Sequence, residues 1–135
     1  VIVVPEGSAI AGKADLAGKV ASVQTGTTAE SGCQDEGIEV QAFAANADAK
    51  AALTTGKVDA WVVDNLTAIQ MVEEGEGLVI LDEKMTEEPY AFAFAFGSED
   101  LVAEINKILD ELVADGTVAA IFEKYGAPYT APAAK

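Results

Sequence analysis

Two short polar stretches of this sequence carry residue types that could bind a small charged molecule. The first is Gln24-Thr25-Gly26-Thr27-Thr28, in which a glycine is surrounded by hydroxyl side chains. Gly26 lets the backbone turn and approach a ligand, and N–H groups at the start of a following helix attract an anion. This stretch is therefore predicted to bind a carboxylate through Gly26, Thr27 and Thr28. An ordinary turn in which Thr27 caps the helix is an equally good interpretation.

The second stretch is Asp64-Asn65, which directly follows the apolar run Ala60-Trp61-Val62-Val63. A carboxylate at this place can hold an ammonium group by a charge-assisted hydrogen bond. Taken alone, a helix cap that Asp64 shares with Asn65 is the stronger interpretation. Taken together, a carboxylate-binding loop and an ammonium-binding side chain that face one cleft would match the two ends of an α-amino acid.

Both stretches follow segments that are typical of strands in one sheet. Apolar, β-branched segments alternate with segments of helical spacing, which predicts a βαβαβαβ order. The predicted fold class is therefore α/β, with a mainly parallel sheet and helices on both faces. In such sheets ligands bind beyond the carboxyl ends of the strands. The predicted strands are Val1–Val4, Lys19–Val23, Glu39–Phe43, Ala60–Val63 and Leu78–Leu81. The predicted helices are Thr28–Asp35, a second one that begins at Asn46 or Ala47 and ends at Thr54, with Asn46 able to cap it, and Leu66–Glu74.

The last third of the chain has a different pattern. Aromatic residues alternate with alanine from Tyr90 to Phe96, which predicts a C-terminal strand that is covered on both faces. Two helices are predicted after it, Asp100–Asp115 with Ser98 as its cap and Thr117–Tyr125, separated by Gly116.

The residue inventory argues against several classes of function. The sequence has no histidine, so it cannot form a Ser-His-Asp or Cys-His site or a histidine-ligated zinc site, and we expect no metal, no cofactor and no enzymatic activity. Cys33 is the only cysteine, which leaves no internal disulfide and no histidine base for a thiol nucleophile. A net charge of −15 repels phosphate backbones, so nucleic-acid binding is not expected.

A set of short blocks, in order along residues 1 to about 126, resembles the second lobe of the polar-amino-acid-binding proteins of ABC importers. These are extracytoplasmic solute-binding proteins with the type II periplasmic-binding-protein fold (family 3). No single block is specific, and the resemblance rests on their order and spacing. The blocks are Ala14–Val20, Val23–Glu30, Gly56–Ala60, Val63–Asn65, Glu87–Ala93, Ile105–Lys107, Asp115–Thr117 and Glu123–Gly126.

The resemblance implies that Thr27 and Thr28 help hold the carboxylate of an amino acid, that Asp64 holds its ammonium group, and that Gln24 approaches the same ligand. It also implies that residues 6–88 form the second-lobe domain. Residues 1–5 and 89–135 would supply hinge strands and C-terminal helices that pack on a first lobe absent from the sequence. We therefore expect weak amino-acid binding by this chain, and an extracytoplasmic parent that serves the permease subunits of a transporter, with its export signal outside this sequence.

Three other interpretations remain open. Similar lobes occur as sensor domains of signalling receptors and, rarely, as dehydratases, where acid–base chemistry would fall to Asp64, Glu30, Glu87 or Glu88. The third interpretation is an interaction module, because the aromatic segment and the terminal helices would leave apolar surface exposed. For this case we expect a homodimer that exchanges the Tyr90–Lys135 segment between chains.

Overall fold

The computed structural model describes residues 1–87 and 90–131. The chain divides into two compact units, residues 1–88 and residues 89–135. No helix in the described part of the chain is both long and apolar enough to cross a membrane.

Over residues 1–87 the first unit contains a single sheet of five strands, β1 to β5, with a 3₁₀ turn at Lys13–Leu16 and three helices, α1 to α3. Over residues 90–131 the second unit contains two helices, α4 and α5. The strands are β1 Ile2–Pro5, β2 Val20–Gln24, β3 Glu39–Phe43, β4 Ala60–Val62 and β5 Leu78–Ile80, and the helices are α1 Thr28–Asp35, α2 Asn46–Thr54, α3 Asn65–Met71, α4 Glu99–Ala114 and α5 Thr117–Lys124.

The sheet has the strand order β3-β2-β4-β1-β5. Strand β2 is parallel to both β3 and β4, whereas β1 is antiparallel to its two neighbours, β4 and β5. Four strands therefore run in one direction and β1 runs against them. The predicted α/β class with a mainly parallel sheet is confirmed.

Helices cover both faces of the sheet, as predicted, because alternate residues of the central strands are buried on opposite sides. On one face Val62 and Val23 pack with Cys33 of α1, and on the other Trp61 packs with Leu53 of α2. Ser22 is the one buried polar side chain in the described core, and its hydroxyl donates to the carbonyl oxygen of Ala49 in α2 at 2.8 Å. The sheet is thus packed on both sides by the helices that its loops lead into.

In the second unit the predicted C-terminal strand is wrong. Residues 90–96 belong to no strand, and the side chains of Tyr90, Phe92 and Phe96 are 65%, 71% and 107% exposed. A segment that is apolar on both faces forms a strand only when a neighbouring strand and two packing layers are present. The two predicted helices do form, and Ser98 takes the N-cap position of α4 without a capping bond from its side chain.

Candidate functional site

The two predicted ligand loops lie at the same edge of the sheet. Strands β2 and β4 are parallel neighbours, with Ala21 opposite Ala60 and Ser22 opposite Trp61. Continuing this register places the end of β2 at Gln24 level with Val63, so the β2–α1 loop and the β4–α3 loop leave adjacent strands side by side. This is the edge where ligands bind in parallel α/β sheets.

The β2–α1 loop turns at Gly26, whose φ of 75° lies in the left-handed region that glycine adopts without strain. Thr27 is the N-cap of α1: its hydroxyl donates to the carbonyl oxygen of Gln24 at 2.7 Å and accepts from the N–H of Glu30 at 3.3 Å. The capping interpretation is therefore correct for the Thr27 hydroxyl. What the loop offers a ligand is the start of a helix, where N–H groups carry a partial positive charge.

Glu30 also takes part in this loop, a role that was not predicted from the sequence. Its Oε2 atom accepts a hydrogen bond from the N–H of Gly26 at 2.7 Å. Thr27 and Glu30 have the Thr-x-x-Glu spacing of a capping box, although Glu30 accepts from the N–H of Gly26, one residue before the N-cap N–H that the standard motif uses. That spacing was the signal in the sequence that could have identified it.

The side chain of Gln24 is bonded to the neighbouring β3–α2 loop. Its Nε2 donates to the carbonyl oxygen of Ala44 at 3.1 Å, and its Oε1 accepts from Nδ2 of Asn46 at 3.0 Å. The predicted cap by Asn46 is wrong, since Ala45 takes the N-cap position of α2 and Asn46 is its first residue. The Asn46 side chain is turned toward Gln24, to which its Nδ2 donates, and its Oδ1, the atom that a cap would use, has no partner in the described structure. This bond ties the candidate site to the third loop at this edge.

Asp64 is the N-cap of α3, and its Oδ1 accepts from the N–H of Thr67 at 3.1 Å. The capping interpretation of this residue is therefore correct as well. An ionised carboxylate accepts several hydrogen bonds, so a cap does not exhaust what it can bind. Asp64 and Thr28 are both exposed at the sheet edge, where a ligand in solution can reach them.

Cys33 lies in the core and not at this edge. It is fully buried against the sheet, and burial raises the pKa of its thiol to about 11. In the described part of the chain no group of three or more Cys, Asp or Glu residues could hold a metal ion.

The buried Cys33 should be nearly inert in the folded chain. Because the thiolate is the reactive form, a pKa near 11 lowers its fraction at pH 8 by on the order of a hundredfold relative to an exposed cysteine, and burial restricts access further. We expect alkylation by iodoacetamide to be at least that much slower in buffer than in urea, measured by mass spectrometry. Equal rates in the two solvents would contradict the buried placement of Cys33.

Comparison with curated proteins finds several amino-acid-binding proteins, while no family model matches the chain. The L-cystine-binding protein TcyJ of Escherichia coli is 31% identical over 120 residues, covering 86% of this chain and 45% of that protein. The ABC transporter glutamine-binding protein GlnH of Bacillus subtilis is 31% identical over 109 residues, covering 79% of this chain and 40% of that protein. The chain spans about half the length of the curated relatives that it matches.

Solved structures give the same result. An ancestral arginine-binding protein bound to glutamine has a TM-score of 0.71 and 37% identity, covering 92% of this chain and 57% of that one. Domain 2 from TmArgBP has a TM-score of 0.56 and 37% identity, covering 62% of this chain and 92% of that domain. On these matches, and on the fold that they share with it, the chain belongs to the family of amino-acid-binding proteins of ABC transporters.

Proposed function

We propose that this chain binds the two charged ends of an amino acid as part of a solute-binding protein that serves the permease subunits of an ABC transporter. One observation carries the proposal: the start of helix α1 and the carboxylate of Asp64 lie on loops that leave adjacent parallel strands at one edge of the sheet. The first attracts an anion and the second attracts a cation. An α-amino acid has both charges at a fixed short separation.

In this proposal each predicted site residue has a distinct role. Thr27 and Thr28 face the ligand carboxylate with the N–H groups of the helix start, and Asp64 accepts from the ligand ammonium. Gly26 supplies the turn. Gln24, which is bonded to Ala44 and Asn46, supports the loop and approaches the same ligand.

The ligand is proposed to be a polar amino acid. The relatives include cystine-, glutamine- and arginine-binding proteins, and these three ligands share the α-amino acid ends and differ in side chain. The two loops described above recognise the shared ends. We therefore propose that they supply affinity for the amino-acid backbone and leave side-chain selection to other groups.

Binding by this chain is expected to be weak. Gly26, Thr28 and Asp64 are exposed, so a ligand on this open edge stays solvated on one side. Sites of high affinity bury most of the ligand surface. An open site makes too few contacts to offset the entropy that is lost on association. We expect a dissociation constant in the millimolar range.

Titration of the ¹⁵N-labelled chain with a panel of amino acids, followed by NMR, tests the proposal. We expect amide shifts at Gly26, Thr27, Thr28 and Asp64, and none in helix α4, which serves as the internal control. The N-acetyl derivative lacks the ammonium charge and the amide derivative lacks the carboxylate charge, so each should bind more weakly. The proposal is overturned if no amino acid shifts these four amides up to its solubility limit, or if the two derivatives bind as well as the parent amino acid.

We also propose that binding is not followed by a reaction and that the parent protein works outside the cytoplasm. The first part is supported by relatives that are named as binding proteins and not as enzymes, and the second by the resemblance to extracytoplasmic solute-binding proteins. The carboxylates of Glu30 and Asp64, two of the acid–base candidates, each accept a hydrogen bond from the backbone of a loop or helix start. No described feature favours the sensor-domain or dehydratase alternatives. A new compound in the NMR spectrum of an amino acid incubated with the chain would refute the non-catalytic part.

A homodimer that exchanges the Tyr90–Lys135 segment is also proposed. It is supported by the exposure of large apolar side chains in the second unit, among them Tyr90, Phe92 and Phe96. Exposed apolar clusters of this kind are common at protein interfaces. Sedimentation velocity over a range of concentrations should show a dimer, and a monomer at every concentration would refute the proposal.

A further inference from the structure

We infer that Glu30 is a positioning residue, which holds the β2–α1 loop in the shape that receives the carboxylate of the ligand. The inference rests on the proposed function and assigns a role to a residue that the function itself does not require. Its starting point is the 2.7 Å hydrogen bond from the N–H of Gly26 to Oε2 of Glu30. At 2.7 Å this bond is short for a hydrogen bond from a backbone N–H to an oxygen.

The bond holds a part of the loop that packing does not hold. No heavy atom outside the immediate chain neighbours lies within 4 Å of the position that a Cβ atom would take at Gly26. A glycine in open space, with a φ of 75°, has many accessible backbone conformations. The Glu30 carboxylate therefore adds a restraint at Gly26 to a turn that the bond from the Thr27 hydroxyl to the Gln24 carbonyl already closes.

The remaining bonds of the loop show which groups are fixed. The N–H of Thr25 donates to the carbonyl oxygen of Phe43 at 2.8 Å, and the N–H of Glu30 donates to the Thr27 hydroxyl at 3.3 Å. With the Gly26–Glu30 bond added, the backbone is held on both sides of Thr27 and Thr28. These two residues are the ones proposed to bind the ligand carboxylate, so Glu30 acts on the ligand through their position.

The positioning role of Glu30 depends on its hydrogen bond to Gly26 and not on its negative charge. A carboxylate at the start of α1 repels a ligand carboxylate that binds at the same helix start, whereas its hydrogen bond orders the loop. A glutamine retains one acceptor oxygen and loses the charge. The hydrogen bond and the charge can therefore be separated by comparing Glu30→Gln with Glu30→Ala.

The test measures amino-acid affinity by NMR titration of the chain and of its Glu30→Ala, Glu30→Gln and Asp35→Ala variants. Asp35 is an exposed acid at the end of the same helix, so its variant controls for loss of one negative charge. We expect Glu30→Ala to weaken binding of the amino acid by about three- to tenfold, which corresponds to the loss of one hydrogen bond. Glu30→Gln and Asp35→Ala should stay within about twofold of the unmodified chain or bind more tightly.

Binding of the amide derivative separates positioning from a general loss of structure. The amide derivative lacks the carboxylate that the loop receives, so its affinity should be the same in Glu30→Ala as in the unmodified chain. The inference is overturned if Glu30→Ala binds the amino acid normally, if it loses both ligands equally, or if Glu30→Gln is as weak as Glu30→Ala. If the unmodified chain itself shows no shifts at Thr27 and Thr28, the proposed function fails, and this inference fails with it.

Discussion

The Asp64→Asn variant should bind amino acids about tenfold more weakly than the unmodified chain, with no change in the stability of the fold. A hydrogen bond to a charged group contributes about 1.5–3 kcal/mol, and the variant removes the charge that attracts the ligand ammonium. Asparagine is as good an N-cap as aspartate, so the bond from the Thr67 N–H to the side chain is retained. Amino-acid titration by NMR and urea unfolding by circular dichroism measure the two quantities.

Asp64→Ala is the matched comparison, because alanine removes both the charge and the cap. This variant should lose affinity to the same degree and also lose about 1 kcal/mol of stability. The N-acetyl derivative has no ammonium group, so its weak binding should be equal in all three proteins. Normal amino-acid binding by Asp64→Asn would contradict the ammonium role and leave Asp64 as a helix cap alone.

The Leu53→Ala variant should lose about 2–5 kcal/mol of stability in the first unit, the largest effect that we expect from one substitution. Leu53 is 1% exposed in helix α2 and packs in the cluster that includes Val3 and Trp61. Its truncation leaves a cavity under the sheet, and the lost free energy is a large part of the 5–15 kcal/mol that holds a typical domain folded. Urea unfolding, followed by the NMR signals of the strands, measures the loss.

Leu101→Ala is the control for this prediction. Leu101 is 53% exposed on helix α4 of the second unit, and alanine favours helix formation, so this variant should change stability by less than about 0.5 kcal/mol. Equal effects at Leu53 and Leu101 would mean that the burial described for α2 does not exist in solution.

Most of the first unit could be predicted from the sequence, because its segments meet their structural requirements locally. Helix α1 has the predicted bounds, Thr28–Asp35, and α2 ends at Thr54 as expected. The three inner strands, β1, β2 and β4, follow from apolar runs that are largely buried on both faces, whereas β3 and β5 at the sides of the sheet are partly exposed. Boundaries differ by a residue or more where the pattern fades, as in α3, which ends at Met71 and not at Glu74.

The direction of β1 and the conformation of the aromatic segment could not be predicted, because both depend on tertiary contacts and not on local sequence. The apolar run of β1 satisfies a parallel or an antiparallel position equally, and its place between β4 and β5 is decided by tertiary packing. The segment from Tyr90 to Phe96 has the alternation of a strand, but a strand forms only where a partner strand offers hydrogen bonds.

For the candidate site, the sequence predicted the loops and not the hydrogen bonds of their side chains. Both loops were predicted from their place after apolar strands, and the register of β2 with β4 brings them to one edge. Glycine and hydroxyl residues, however, can either contact a ligand or stabilise the loop through intramolecular hydrogen bonds. The Thr27 hydroxyl and the Gln24 amide donate to carbonyl oxygens of the protein, and these bonds could be identified only from the structure.

The single tryptophan gives the chain a spectroscopic asymmetry. Trp61 is fully buried in β4, with no hydrogen-bond partner for its indole nitrogen in the described structure, and the second unit contains no tryptophan. Light at the red edge of the indole absorption band excites only Trp61, so the emission reports on the first unit alone. Because Trp61 is shielded from water, its emission should be blue-shifted. Trp61 lies three residues before Asp64, so its fluorescence quantum yield can report ligand binding at the candidate site. All three tyrosines lie in the second unit, so tyrosine emission from the same sample reports on that unit.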